Sequence, residues 1–466
     1  MLGNGVGHGV GLFSQIAFAR FLGVESYGLL ALALSFILFP SKLMDLGVTT
    51  STPRFIALSL GENDIAKALR IIWQSGLYQG ASSLVLTALV LLGASQVGHW
   101  MDMPRLGELV LCLGLFAPGV FLFRWSASVL KGLGHNTLQV YLDSFFLQVF
   151  TFILGLGGWY LTKSALGVTV GYGGAYLLTG IMGGVGVWRA LRALPRPEGR
   201  SDFRFMEMIR HGIPLNITAL AQIIFQRTDL IIVGAMLDAR SVGIYRVASS
   251  VAGGLKRLLT PLNDFAVFKM SKYVGMKKND FAFSHYMDIV LVSLTVALPL
   301  YMVLFLFAGE IIVLLYKAEY IESVPLLRVL IVGHAVFVGV GPMGALFNAM
   351  GKNVVRMIFV ISMSVLNIVL NIVLIHYFGI IGCTYSTTTG FIILFAVFQF
   401  YIRRQFLGMT VDLPPLMFMA ASGLALALAA VVPGGSMAVR VATALAACGL
   451  TAATGVLLLM RTGRDR

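Results

Sequence analysis

Residues 213–237 read IPLNITALAQIIFQRTDLIIVGAML, and residues 243–270 read GIYRVASSVAGGLKRLLTPLNDFAVFKM. At about 1.5 Å per residue, each is long enough as a helix to cross a bilayer. Yet the pair carries Arg227, Asp229, Arg246, Lys256 and Arg257 inside it. A charge at the bilayer centre costs roughly 2.5–3.5 kcal/mol on the lenient insertion scale, so the cations would forfeit on the order of 10 kcal/mol if all faced lipid. They are therefore expected to face water, protein or an anion. On the second segment Arg246, Ser250, Gly253, Arg257, Thr260, Pro261 and Asp264 follow steps of 3, 4 and 7, which gives one polar helical face opposite an apolar one. Within a membrane span such a face should line a cavity.

Composition agrees. Of 466 residues, 58% are hydrophobic and only 12% charged, against about 25% charged in a soluble domain. This is the composition of an all-α integral membrane protein. A net charge of +14 would suggest nucleic acid in a soluble chain, but here the excess goes to one side of the membrane and nucleic acid is not expected. Cys112, Cys383 and Cys448 each sit in an apolar run, so neither a disulfide framework nor a metal cluster is indicated. Nothing at the start resembles a cleaved signal peptide, and the abrupt apolar opening suggests that a short polar leader precedes it.

Apolar runs separated by charged or turn-forming residues give about fourteen spans of roughly 20 residues. They fall near 3–21, 27–48, 71–94, 106–131, 138–161, 165–188, 213–237, 243–270, 285–309, 325–349, 354–377, 379–402, 414–433 and 438–460. Stretches 53–70 and 201–211 mix apolar and charged residues and read as interfacial. With both termini cytoplasmic, Lys and Arg favour the cytoplasmic side by about threefold, as the positive-inside rule requires.

The longest basic loop, 189–210, holds Pro195 and Pro197 and divides the first twelve spans into six and six. The expected organisation is a six-helix bundle at 1–190, a cytoplasmic linker with an interfacial helix at 191–211, a second six-helix bundle at 212–404, and an extra two-helix hairpin with a basic tail at 405–466. The halves also repeat. Leu22, Ser26 and Gly28 match Leu237, Ser241 and Gly243 at an offset of 215 (243 − 28), while Gly134 and Asn136 match Gly351 and Asn353 at 217 (351 − 134). An even number of helices per repeat keeps both copies in the same orientation, about an axis along the membrane normal, with a site between them.

A second cationic track runs through Arg124, Ser128, Lys131 and His135 at steps of 4, 3 and 4. Lys131 and His135 fit equally well as positive-inside residues; Arg124 lies roughly two turns deeper. With Arg246 and Arg257 it would make a central basic vestibule suited to phosphate or carboxylate, with Lys256 and Arg227 in support. Asp229 and Asp264 read as ion-pair partners of Arg227 and Arg257, or else as coupling residues for a cation or proton. Asp45, Asp143 and Asp288 sit near helix ends and read as caps, loop partners or hinge residues. His334 reads as a hydrogen-bonded core histidine before a titrating one. Ser364, Asn367 and Asn371, with the hydroxyls of 384–389, suit interhelical hydrogen bonds, and would equally suit a sugar-facing wall. Gly3, Gly5, Gly7, Gly9 and Gly11 permit close helix contact.

No phosphate-binding loop of the GxxxxGK[ST] type, no zinc-protease motif and no nucleophile elbow is present, and no loop is long enough for a glycosyltransferase domain. An enzyme or single-chain ATP-driven pump is not expected, and no cofactor is implied. Transport by alternating access remains the natural reading.

The order of several short motifs resembles a known family. Ala19-Arg20-Phe21-Leu22-Gly23-Val24-Glu25-Ser26-Tyr27-Gly28, then Met44-Asp45-Leu46-Gly47 and Pro53-Arg54, resembles the opening of the polysaccharide transporter, or oligosaccharide-lipid flippase, family. Gly212-Ile213-Pro214-Leu215, Arg227-Thr228-Asp229 and Val242-Gly243-Ile244-Tyr245 resemble its second half, and Leu130-Lys131-Gly132-Leu133-Gly134 and Asn348-Ala349-Met350-Gly351-Lys352 also fit. The resemblance covers the first twelve spans. It implies two six-helix bundles around a central cavity, in the superfamily that also holds multidrug exporters and the peptidoglycan-precursor flippase. It further implies a polyprenyl-diphosphate-linked oligosaccharide as cargo, membrane lipids as surroundings, a polysaccharide polymerase as candidate partner, and the inner membrane as location. The additional pair at 414–460 departs from a twelve-span pattern and keeps the peptidoglycan precursor open as cargo. A cation-coupled drug exporter, which should prefer an acidic or aromatic cavity, and a non-transporting scaffold of a polysaccharide assembly complex are the rivals.

Overall fold

In the computed structural model, the described residues are 2–195, 202–258, 269–276, 279–341 and 343–405, with a few more between 442 and 454. The expected spans 414–433 and most of 438–460 lie outside them. The described chain is helical throughout. It divides into two compact units, Met1–Gly243 and Ile244–Arg466.

The first unit begins with α1 (Leu2–Leu22), α2 (Val24–Met44), the short α3 (Val48–Gly61) and the long α4 (Ile65–Trp100). It continues through α5 (Pro104–Leu115), α6 (Ala117–Gly132), α7 (Asn136–Val140), a π-helical turn at Tyr141–Phe146, α8 (Leu147–Thr162), α9 (Ala165–Arg192) and α10 (Phe205–Met236). The start of α11 (Ala239–Leu258) closes it. The second unit adds α12 (Asn279–Leu306), α13 (Ala308–Tyr316), α14 (Ser323–Val340), α15 (Met343–Ala349), α16 (Asn353–Phe378) and α17 (Ile380–Gln405).

As far as they are described, the first twelve expected spans fall on these helices, one to three elements to a span; residues 259–268 of the span at 243–270 lie outside the described residues. Eight described helices are long and apolar enough to cross a membrane, or nine if the bent pair α5 and α6 is one span. On α4 the exposed Trp73 and Trp100 stand 27 residues apart (100 − 73). That separation is about 40 Å along a helix, close to the distance between the two headgroup regions where tryptophan gathers. The stretch 53–70 is split between α3 and the first turns of α4, where the Asp64 side chain caps α4 by accepting from the Lys67 N–H at 2.8 Å. The stretch 201–211 is largely absorbed into α10, which runs without a break through Pro214.

The two matched Gly-x-Asn stretches share a backbone geometry. α6 ends with His135 N–H donating to Leu130 C=O and Gly134 N–H to Lys131 C=O, with Gly134 at φ 83°. At an offset of 217 (351 − 134), Lys352 N–H donates to Phe347 C=O and Gly351 N–H to Asn348 C=O, with Gly351 at φ 68°. Both are glycine-terminated helix ends of one geometry. Gly28 and Gly243, the other matched pair, pack together: a Cβ on Gly28 would lie 1.9 Å from the Ala239 carbonyl oxygen, and one on Gly243 would lie 2.1 Å from that of Val24. Only glycine allows that approach.

Candidate functional site

Arg124 lies on α6, just beyond a 46° bend between α5 and α6. Pro118, in the first turn of α6, has no N–H to return to α5, which accounts for the break. The Arg124 guanidinium is enclosed by protein, yet the side chain keeps accessible surface. Its Nη1 donates to Ser41 Oγ at 2.9 Å, at the end of α2. Among the described residues it forms no ion pair. Guanidinium carries five N–H donors, and the remaining nitrogens of Arg124 are not among the buried unpaired atoms. With one N–H given to Ser41, donors remain on Arg124 for a further acceptor. Asp45, Asp143 and the Tyr176 hydroxyl act on Arg124 through space.

Arg227, on α10, is half-buried, and its charge acts on Tyr176 of α9, as that of Arg124 does. Two guanidinium groups on different helices thus share one neighbourhood in the first unit. Asp229 is buried on α10, and both it and Arg227 have interactions within the protein. In the second unit Arg246 is half-buried on α11 and is also engaged. Lys256 and Arg257 belong to the last turn of α11, with their side chains outside the described residues, and Asp264 is outside them altogether. Lys131 and His135 are exposed at the end of α6.

Asp45 holds more than a cap would. It is 1% exposed, and one of its oxygens, Oδ2, accepts from Lys42 Nζ at 2.7 Å and from the Thr49 hydroxyl at 2.8 Å. The other, Oδ1, accepts from Thr49 N–H at 3.0 Å and Gln79 Nε2 at 2.7 Å. The Tyr78 hydroxyl, next to Gln79, donates to Met44 C=O at 2.7 Å, and Asn216 Nδ2 of α10 donates to Lys42 C=O at 3.3 Å. The sequence did not single out Tyr176, and it marked Asp45 as a cap, loop partner or hinge residue without its partners in this hub, Thr49 and Gln79. The hub's only local signal is the spacing of Lys42, Asp45 and Thr49, one helical turn apart.

Elsewhere the polar stripe of the second unit joins helices. Ser386 of α17 donates to Asn367 C=O of α16 at 3.2 Å, and Asn371 Nδ2 donates to Asn367 Oδ1 at 3.1 Å. Ser364 bonds back to Val360 C=O in its own helix. His334 packs against the rings of Tyr301 and Phe391, and His285 stands 4.0 Å from Asp288.

The fold has solved counterparts. The structure titled lipid II flippase MurJ, inward closed conformation, matches with a TM-score of 0.72 over 99% of this chain and 97% of its own, at 16% identity. A multidrug resistance MATE family transporter of the MOP superfamily, in its inward-facing conformation, matches with a TM-score of 0.71 over 85% of this chain and 93% of its own, also at 16% identity. In sequence, an uncharacterized membrane protein of Methanocaldococcus jannaschii is 22% identical over 414 residues, covering 83% of this chain and 92% of that protein. Residues 17–325 match the family described as polysaccharide biosynthesis protein. The chain belongs to that family, and its membrane-length helices are arranged in the fold that the MurJ and MATE structures share.

Proposed function

We propose that the protein flips a polyprenyl-diphosphate-linked oligosaccharide from the cytoplasmic to the outer leaflet of the inner membrane by alternating access, during surface polysaccharide assembly. The observation that carries this reading is Arg124: a guanidinium with no ion pair among the described residues, which spends one N–H on Ser41 and keeps accessible surface. A diphosphate supplies the anion and the acceptors that such a group lacks. Arg227 supports it from α10, and Arg246, Lys256 and Arg257 are the contribution of the other half. Asp229 and Asp264 serve as ion-pair or coupling residues. The working halves are 1–190 and 212–404, joined by the 191–211 linker with the 405–466 hairpin added, both termini are cytoplasmic, and a polysaccharide polymerase receives the product.

A cationic site disfavours cationic drugs, so the likeness to a multidrug transporter supports the fold and not that cargo. The peptidoglycan precursor stays as a second reading, because the match to the lipid II flippase structure extends over nearly the whole chain. Reconstitution into proteoliposomes with fluorescent lipid-diphosphate sugars tests both. Protein-dependent flipping of an oligosaccharide-diphosphate lipid is expected; flipping of lipid II alone selects the second reading, and flipping of neither refutes both.

A further inference from the structure

The corner between α2 and α3 is held more firmly than a helix connection requires. Leu46 takes a left-handed conformation at φ 45°, and Gly47 follows at φ 81°. For a bulky residue such a conformation is strained, and it persists only where the surroundings over-determine it. A Cβ on Gly47 would lie 2.1 Å from the Gly212 carbonyl oxygen, so the corner is pressed against the backbone of α10. From within, the Asp45 carboxylate gathers Lys42 of α2, Thr49 of α3 and Gln79 of α4.

Two connections run from this corner to the helix that carries Arg124. Ser41, next to Lys42, accepts the Arg124 hydrogen bond. Thr49, whose N–H and hydroxyl both donate to Asp45, offers its carbonyl to Ser128 Oγ at 2.6 Å, one turn beyond Arg124 on α6. Arg124 and Ser128 therefore grip the corner at both of its ends, and Asp45 ties those ends together. The charges are arranged to match. Asp45 acts on Arg124 through space, yet its ion pair at 2.7 Å is with Lys42, so Arg124 is not its direct partner.

From this geometry we infer that Asp45 is the positioning residue of the anion site: it fixes the α2–α3 corner, and the corner aims the spare donors of Arg124 at the cargo diphosphate. Asp45 touches no cargo itself. The inference rests on the diphosphate reading of Arg124. A cap would need only the Thr49 N–H; the bonds from Gln79 and Lys42 are what a cap does not explain.

Two readouts on purified full-length protein test it. The first is phenylglyoxal modification of Arg124 without cargo, followed by peptide mass spectrometry. The second is binding of a short-chain polyprenyl diphosphate. Asp45→Asn keeps the shape and one acceptor but loses the pair with Lys42. Its Arg124 modification should rise about fivefold, the equivalent of one freed hydrogen bond, and its binding should weaken about tenfold. Thr49→Val, which removes only the hydroxyl, should move both readouts in the same direction by less. Asp45→Asn combined with Arg124→Ala should bind no more weakly than Arg124→Ala alone, because the two act as one unit. Unchanged modification, or losses that add in the double variant, would overturn the inference and leave Asp45 a purely structural residue. A wild type that binds no diphosphate would instead sink the cargo reading, with positioning still decided by the modification arm.

Discussion

Replacing Arg124 with alanine separates a cargo role from a structural one. Within the protein the side chain gives up the hydrogen bond to Ser41, about 1 kcal/mol for a neutral acceptor, and part of that is returned because a guanidinium no longer has to be enclosed. Thermal stability should therefore change little, by about 1 kcal/mol or less. Toward a diphosphate the loss is larger. One charge-assisted hydrogen bond contributes roughly 1.5–3 kcal/mol, or about 10- to 150-fold in affinity. Arg124→Lys keeps the charge but not the planar fork and should fall between the two. The assay is protein-dependent flipping of a fluorescent lipid-diphosphate sugar in proteoliposomes, with insertion and melting checked for each variant. Wild-type rates in correctly inserted Arg124→Ala would refute the reasoning, and so would a large fall in stability that accounts for the lost transport.

Lys131→Ala removes an exposed cation from the same helix and should leave cargo affinity within about twofold, since exposed pairs contribute little; a loss matching that of Arg124→Ala would make the whole track a binding surface. Asn367→Ala should lower the melting temperature, by roughly 0.5–2 kcal/mol of interhelical hydrogen bonding, and Ser386→Ala added to it should cost almost nothing more, as read by thermal unfolding in detergent. Gly28→Ala places a methyl where only 1.9 Å separates it from a backbone oxygen and should destabilise by about 1–3 kcal/mol; an unaltered melting curve would show that the α2 and α11 crossing yields easily.

Much of the fold was legible because bilayer physics writes it into composition. Apolar runs of span length located the described spans, and the repeated Gly-x-Asn at 134–136 and 351–353 marked two helix ends of one geometry. The break before α6 was not legible, because the apolar runs on either side of Pro118 read as the single span 106–131. Arg124 stood out because a cation deep in a span is costly wherever it lies. Asp45 was legible only as a cap, loop partner or hinge residue, since its other contacts come from Gln79, 34 residues on, and from a corner that Arg124 grips from 83 residues away. Sequence periodicity reports which face of a helix a residue occupies; it does not report which helix that face meets. Tyr176, an ordinary aromatic in a glycine-rich span, was hidden for the same reason.

The most direct test of the central claim is photocrosslinking of a polyprenyl diphosphate whose reactive group sits on the sugar next to the phosphates. If a diphosphate visits Arg124, irradiation should label α6 and the part of α9 around Tyr176, and unlabelled lipid diphosphate should compete that labelling away. Labelling confined to the exposed apolar face of α4, around Leu84, Leu91 and Leu92, with α6 untouched, would contradict it.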